Sequence, residues 1–206
     1  MPVSWNHATK RGGKLLVYFD PALSKTVWGG VIDSCLKEFN LLSRNNRLGV
    51  TLEKSKDAPV VGGGSAHVSV TTGNGKIDFD YDGEKDSTTL IGITMHGRTF
   101  LPQRNGVIEK AYVYLPATPL ISTPQGPRPV GPTIMKLIAV HEFVHATGLL
   151  NSDHNGEDLF QASPSVDYGS SAAHDRAKGA RGGRTTWMPP LFLSASTARA
   201  IADNWS

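Results

Sequence analysis

Apolar positions along the first part of the chain follow two different spacings. Leu15 to Phe19 is a short apolar run, typical of a first β-strand. From about Ser24 to Leu42, apolar residues recur every three or four positions, which predicts a helix with one buried face. Ser24 suits the start of this helix, and Asn45-Asn46 suits its end.

Short strand candidates separated by turn-rich stretches follow this helix. They are Gly49 to Glu53, Ala66 to Thr71, Ile91 to Met95 and Ile108 to Leu115. Residues 116–132 contain six prolines, so we expect an irregular connection there with no room for a helix. The 22 glycines and 13 prolines of the chain imply long irregular connections rather than a tightly wound fold.

A second helix is predicted from about Thr133 to Gly148. Its apolar residues nearly encircle it, which is typical of a buried central helix; they are Ile134, Met135, Leu137, Ile138, Val140, Phe143 and Val144. Two histidines and a glutamate in such a helix call for an explanation. After Gly148 the pattern becomes loop-like until a C-terminal helix from about Ser194 to Trp205.

Composition and charge narrow the classes of function. A chain of 206 residues with 39% hydrophobic residues is expected to form one domain with a sizeable core. The net charge of +3 is mild and the basic residues are mostly scattered, so no nucleic-acid partner is expected. Cys35 is the only cysteine, which excludes an internal disulfide and a cysteine-rich zinc site.

The apolar runs are too short for a membrane span or a secretory signal. No run of about 18 apolar residues occurs, so no membrane span is expected. The apolar run at Leu15 to Phe19 is shorter than the core of a signal peptide. We therefore expect a cytoplasmic protein, or one exported by a route that its N-terminus does not encode.

The histidines of the second helix have the spacing of metal ligands. His141 and His145 are separated by about 40° around the helix and roughly 6 Å along it, so two imidazoles can converge on one ion. Zinc is the usual occupant of a nitrogen-rich site with an open position. Glu142 points about 100° away, which suits it to act as general base on a metal-activated water. The alternative, a helix with ordinary surface histidines, fits the apolar surroundings poorly.

The segment His141-Glu142-Phe143-Val144-His145-Ala146-Thr147-Gly148 extends the pattern to H-E-x-x-H-x-x-G. A glycine at position 148 can adopt a left-handed conformation that ends the helix and turns the chain towards the metal. Met188 follows in a turn-prone segment, Thr185 to Pro190. In these features the chain resembles the metzincins, the matrixin-like members most. That family has a methionine turn beneath its metal, and Met188 is the matching residue.

The resemblance implies an α+β (mixed) zincin-like domain over residues 1–206. It would consist of a twisted mixed sheet with two long helices and a C-terminal helix. Residues 1–148 would form an N-terminal subdomain that includes the active-site helix, and residues 149–206 a C-terminal subdomain. The implied cofactor is Zn²⁺.

The third ligand is where the chain departs from the family. The family places a histidine three residues after the glycine, but Asn151 stands there, and a neutral amide is a poor zinc ligand. We predict that His154 binds the metal instead, from a loop three residues longer than usual. Asp153 is the second choice, because some relatives use an aspartate.

Other metallopeptidase families fit less well. A thermolysin-like site draws a glutamate from a later helix, and no glutamate follows Glu157. An aspzincin site uses an aspartate near a tyrosine and a glycine. The segment Val166 to Gly169 contains Asp167 in that setting, but its spacing differs and it leaves Gly148 and Met188 unexplained.

The prediction is a zinc-dependent endopeptidase, expected to be monomeric and to act on a protein or peptide. His141, His145 and His154 would hold zinc, with Glu142 as base. By resemblance, Ile91 to Phe100 would be the sheet edge that receives the substrate, and Pro189 to Phe192 would form a wall of the substrate pocket. Two alternatives stay open: an amidase acting on cell-wall peptides, and a non-enzymatic binding or structural protein of the same fold.

Overall fold

The computed structural model describes residues 2–59, 65–81, 84–90, 97–121, 127–154, 165–166, 177–178 and 193–206. Its helices are α1 (His7–Gly12), α2 (Ile32–Asn46), α3 (Pro132–Ala146) and α4 (Ala195–Trp205). Its strands are β1 (Ser4–Trp5), β2 (Lys14–Phe19), β3 (Thr51–Ser55), β4 (Val68–Gly73), β5 (Gly75–Tyr81), β6 (Glu84–Leu90), β7 (Arg98–Phe100), β8 (Gln103–Arg104), β9 (Val107–Ile108), β10 (Ala111–Pro116), β11 (Leu120–Ile121), β12 (Arg128–Pro129), β13 (Ser165–Val166) and β14 (Ala177–Lys178).

The largest sheet has five strands in the order β3-β2-β4-β10-β7. The first four run parallel, while β7 is antiparallel to β10 with Thr99 opposite Val113. Parallel neighbours need a long crossover, and α2 supplies the one between β2 and β3. Mixed sheet and helices together confirm the predicted α+β (mixed) class.

Helices α2 and α3, each 15 residues long, pack against each other and against the sheet. Alternate residues of the strands face them; Val17, Val70 and Val113 are completely buried. Phe39 of α2 meets Phe143 of α3 edge to face, with ring centroids 6.4 Å apart. The nearly complete burial of α3 explains why its apolar residues encircle it.

The predicted start of the first long helix was wrong. Two short 3₁₀ segments, Pro21–Lys25 and Val27–Gly30, precede α2, which begins only at Ile32. Thr26 interrupts the helical path with extended backbone, and its side chain accepts a hydrogen bond from the Trp28 amide. The predicted end was right: α2 stops at Asn46, and Arg47 takes the left-handed conformation.

Most of the other predicted elements are present within a few residues of their expected bounds. Strands β2, β3, β4 and β10 and helices α3 and α4 were all predicted, and Ser194 caps α4. The segment Ile91 to Met95 lies outside the described residues. Helix α1 and the hairpin β5–β6 were not predicted. Within the described ranges, no helix has the length and apolar character that crossing a membrane requires.

Candidate metal centre

A cleft of about 480 Å³ lies between α3, the edge strand β7 and the loop that follows α3. Helix α3 contributes His141, Glu142 and His145 to its lining, and the loop contributes His154. One long helix and the loop that follows it therefore bring together the residues that the sequence singled out.

The three imidazoles face one another. One nitrogen atom from each of His141, His145 and His154 lies within 4.8 Å of the others. The two Nε2 atoms of His141 and His145 are only 3.1 Å apart. Tetrahedral zinc with bonds of 2.0–2.1 Å needs its nitrogen ligands roughly 3.4 Å apart. The spacing of His141 and His145 is therefore close to the one that a zinc ion requires, and His154 lies near enough to complete the group.

His145 is held in the form that a metal needs. Its Nδ1 lies 2.6 Å from the carbonyl oxygen of Leu149. A carbonyl oxygen only accepts, so Nδ1–H donates, and the lone pair is left on Nε2, the atom that faces His141. Burial is the main cause that lowers the pKa of His145 to about 4; the Leu149 hydrogen bond acts in the opposite direction, and the charges of His154 and Arg98 act in the same direction as burial. The ring is therefore neutral at physiological pH.

Glu142 is 3% exposed and contacts the edge strand. The Thr99 hydroxyl of β7 lies 2.6 Å from Glu142 Oε2. Burial raises the pKa of Glu142 to about 7, while the hydrogen bond from Thr99 and the charge of Arg98 act in the opposite direction. A carboxyl group with such a pKa can both accept and return a proton near neutrality.

The loop after α3 presents His154 and turns Asp153 elsewhere. Residues Asn151–Asp153 form a 3₁₀ turn, in which Asp153 Oδ2 accepts a hydrogen bond from the Leu150 amide at 3.2 Å. His154 follows in an extended conformation and joins the two helical histidines. Asn151 is exposed and only lines the cleft. Of the two candidates for third ligand, His154 is the one whose ring belongs to the cluster.

Gly148 redirects the chain from α3 into this loop. It has a φ of +109°, a conformation that favours glycine, and its amide donates to the His145 carbonyl oxygen at 2.9 Å. A Cβ at position 148 would lie 2.1 Å from the carbonyl oxygen of Val3. The left-handed glycine expected from the sequence is thus present, and the adjacent backbone leaves no space for a side chain.

Residues from both ends of the chain bind the carbonyl groups at the end of α3. The indole of Trp5 donates to the Ala146 oxygen at 2.9 Å, and the indole of Trp205 donates to the Thr147 oxygen at 2.9 Å. Asn204 Nδ2 donates to the Val3 oxygen at 3.0 Å. The two indoles satisfy carbonyls that a helix end leaves without internal partners, and they fix the helix end that carries His145.

No protein-family model matches the chain, and no curated protein matches it in sequence. The conclusion about function therefore rests on the geometry of the site.

Several predicted features lie outside the described residues: Met188, the wall Pro189 to Phe192, the segment Asp167 to Gly169, and 91–96 of the expected substrate edge. The described end of that edge, Arg98–Phe100, is the edge strand β7 and borders the cleft. Sequence reasoning missed Thr99 and Gly97, because their contacts to Glu142 depend on how β7 docks on α3. No local sequence pattern predicts contacts of this kind.

Proposed function

We propose that the chain is a zinc-dependent endopeptidase with a zincin-like fold. The observation that carries this proposal is the cluster of three imidazoles within 4.8 Å, set in a cleft beside a buried glutamate. Buried carboxyl groups are rare unless they are paired or functional. A purely structural metal site has no use for Glu142.

The donor set fits zinc better than other common ions. Three imidazoles suit zinc, whereas magnesium and calcium prefer oxygen ligands. His141, His145 and His154 would hold the ion, and the cleft leaves room for water and substrate. When bound, zinc supplies a Lewis acid that lowers the pKa of a water molecule and polarises the substrate carbonyl.

Glu142 performs the proton transfers in the proposed reaction. It accepts a proton from the water that attacks the peptide carbonyl, and it then delivers that proton to the leaving amine. The pKa of about 7 suits both steps. Thr99 bonds one carboxyl oxygen, which leaves the other oxygen for the water.

The position of β7 supports a peptide as the substrate. This strand pairs with β10 on one side and borders the cleft with Arg98 and Thr99 on the other. An extended peptide can add to such an edge through main-chain hydrogen bonds. A mixed sheet whose antiparallel edge strand lies beside the histidine-bearing helix also supports the zincin-like assignment.

The test combines metal analysis with activity. The purified protein is expected to contain about one zinc per chain, and a chelator should remove the metal and the activity together. Glu142→Gln should keep the zinc and lose at least about two orders of magnitude in kcat, the usual contribution of a general base.

The outcomes separate the alternatives. Cleavage of cell-wall peptides without cleavage of proteins would favour the amidase. Bound zinc with no hydrolysis of any peptide would favour a non-enzymatic protein. Full activity of Glu142→Gln would remove this glutamate from the mechanism.

A further inference from the structure

Thr99 contacts Glu142 from a different element of the fold. Its hydroxyl lies 2.6 Å from Glu142 Oε2 and 3.0 Å from the Glu142 main-chain oxygen. A hydroxyl has one proton and donates to one acceptor at a time. The shorter distance and the greater basicity favour the carboxylate over the main-chain carbonyl.

Gly97 confines the same side chain from the other side of Arg98. A Cβ at position 97 would lie 2.6 Å from Glu142 Cγ and 2.9 Å from the Tyr114 main-chain oxygen. The backbone of the edge strand therefore packs directly against the glutamate. Thr99 binds the carboxyl group of Glu142, and the Gly97 backbone packs against its Cγ. The conformation of the glutamate side chain is therefore fixed at two points.

We propose that Thr99 is a positioning residue for Glu142, an inference that rests on the proposed peptidase function. A glutamate side chain has several rotatable bonds, and an error of about 1 Å in the position of a reacting group can cost about 100-fold in rate. The hydroxyl selects one carboxylate orientation and keeps one oxygen engaged. The other oxygen is then directed to the water in the cleft.

Isosteric substitution tests this role. Thr99→Val keeps the shape and removes the hydroxyl, and it is expected to lower kcat about 10–100-fold with little change in KM or in zinc content. Thr99→Ser restores a hydroxyl and should recover most of kcat. Thr51→Val is the matched control, because Thr51 lies on the opposite edge strand and its hydroxyl donates to the Gly13 carbonyl oxygen. This control should leave kcat unchanged.

A second measurement does not depend on activity. Melting temperatures of the metal-free protein are compared for Thr99→Val, Glu142→Ala and the double variant. Two groups that share one hydrogen bond lose it only once, so the double variant should melt at a higher temperature than the sum of the single losses implies. If the two single losses in melting temperature simply add up in the double variant, the proposed Thr99–Glu142 hydrogen bond is wrong.

The possible failures are distinguishable. A wild type that cleaves no peptide would overturn the peptidase function, and the positioning role with it. An active wild type whose Thr99→Val variant keeps full kcat would overturn the positioning role alone. A Thr99→Ser variant as impaired as Thr99→Val would show that the methyl packing, not the hydroxyl, is what matters.

Discussion

The two edges of the five-stranded sheet are built from different kinds of side chain. At β3, Thr51, Glu53 and Lys54 are exposed, and ion pairs join Glu53 to Lys14 and Lys54 to Asp33. At β7, Thr99 faces inward to the glutamate of the neighbouring helix. One edge is therefore charged and solvated, and the other is joined to the candidate site.

This difference shows that a sheet edge can either be protected against pairing with other molecules or take part in a functional site. Charged residues on an edge strand discourage pairing with strands of other molecules, and β3 carries them. Strand β7 is only three residues long, and its Thr99 hydroxyl contacts α3 rather than solvent. Substitutions around the cleft next to β7 are therefore expected to affect metal binding or catalysis, and those at β3 to affect neither.

The largest expected effect concerns the wall of the cleft that carries His154. His154→Ala should weaken zinc binding far more than Asp153→Ala, because the first removes an imidazole from the cluster. Asp153 bonds the Leu150 amide and so holds the turn before His154, and Asp153→Ala should cost about 10–100-fold in zinc affinity. Chelator competition measures both affinities. The reverse order of effects would make Asp153 the ligand.

Gly97→Ala, next to β7, should have an effect of intermediate size on activity and stability. The added methyl meets Glu142 Cγ and the Tyr114 oxygen, so the glutamate or the strand has to move. We expect kcat/KM to fall about 10–100-fold and the free energy of unfolding to fall by about 1–3 kcal/mol. Gly30→Ala is a matched control, because nothing lies within 4 Å of a Cβ there. Equal behaviour of the two variants would contradict the close packing at Gly97.

Glu53→Gln on the β3 edge should have the smallest effect. The Glu53–Lys14 pair is about half exposed on both sides, and such pairs contribute about 0–1 kcal/mol. Urea denaturation should show a loss of at most about 0.5 kcal/mol, with zinc content and kcat unchanged. A clear loss of activity would mean that the two edges are not functionally separate.

The sequence predicted the parts of the fold and site that depend on local spacing. A period of three to four residues identified α2, apolar residues on nearly every side identified α3, and the four-residue separation of His141 and His145 placed their rings together. Gly148 was recognisable because a left-handed residue after a helix is usually glycine. These features depend on residues that are close in the sequence, so a single sequence is enough to predict them.

Features that depend on docking between distant segments could not be predicted. Thr99 is 43 residues from Glu142, and neither residue signals the other. The predicted start of α2 was wrong for a related reason. The apolar positions 27, 28 and 31 follow a helical period, but Thr26, Gly29 and Gly30 favour 3₁₀ turns. His154 was predicted only through the resemblance to a family, because a histidine in a polar loop has no period of its own.

The contacts at the end of α3 have a thermodynamic consequence. Trp5 and Trp205 donate to Ala146 and Thr147, immediately beside His145, and the Val3 amide donates to Gly148. Each of these bonds exists only when both partners are ordered. Order in the two terminal segments and order in the loop that leads to His154 are therefore linked, and linkage is reciprocal. A metal ion bound at the histidines, as proposed, would therefore also stabilise β1 and α4, and fraying of β1 or α4 would weaken its binding.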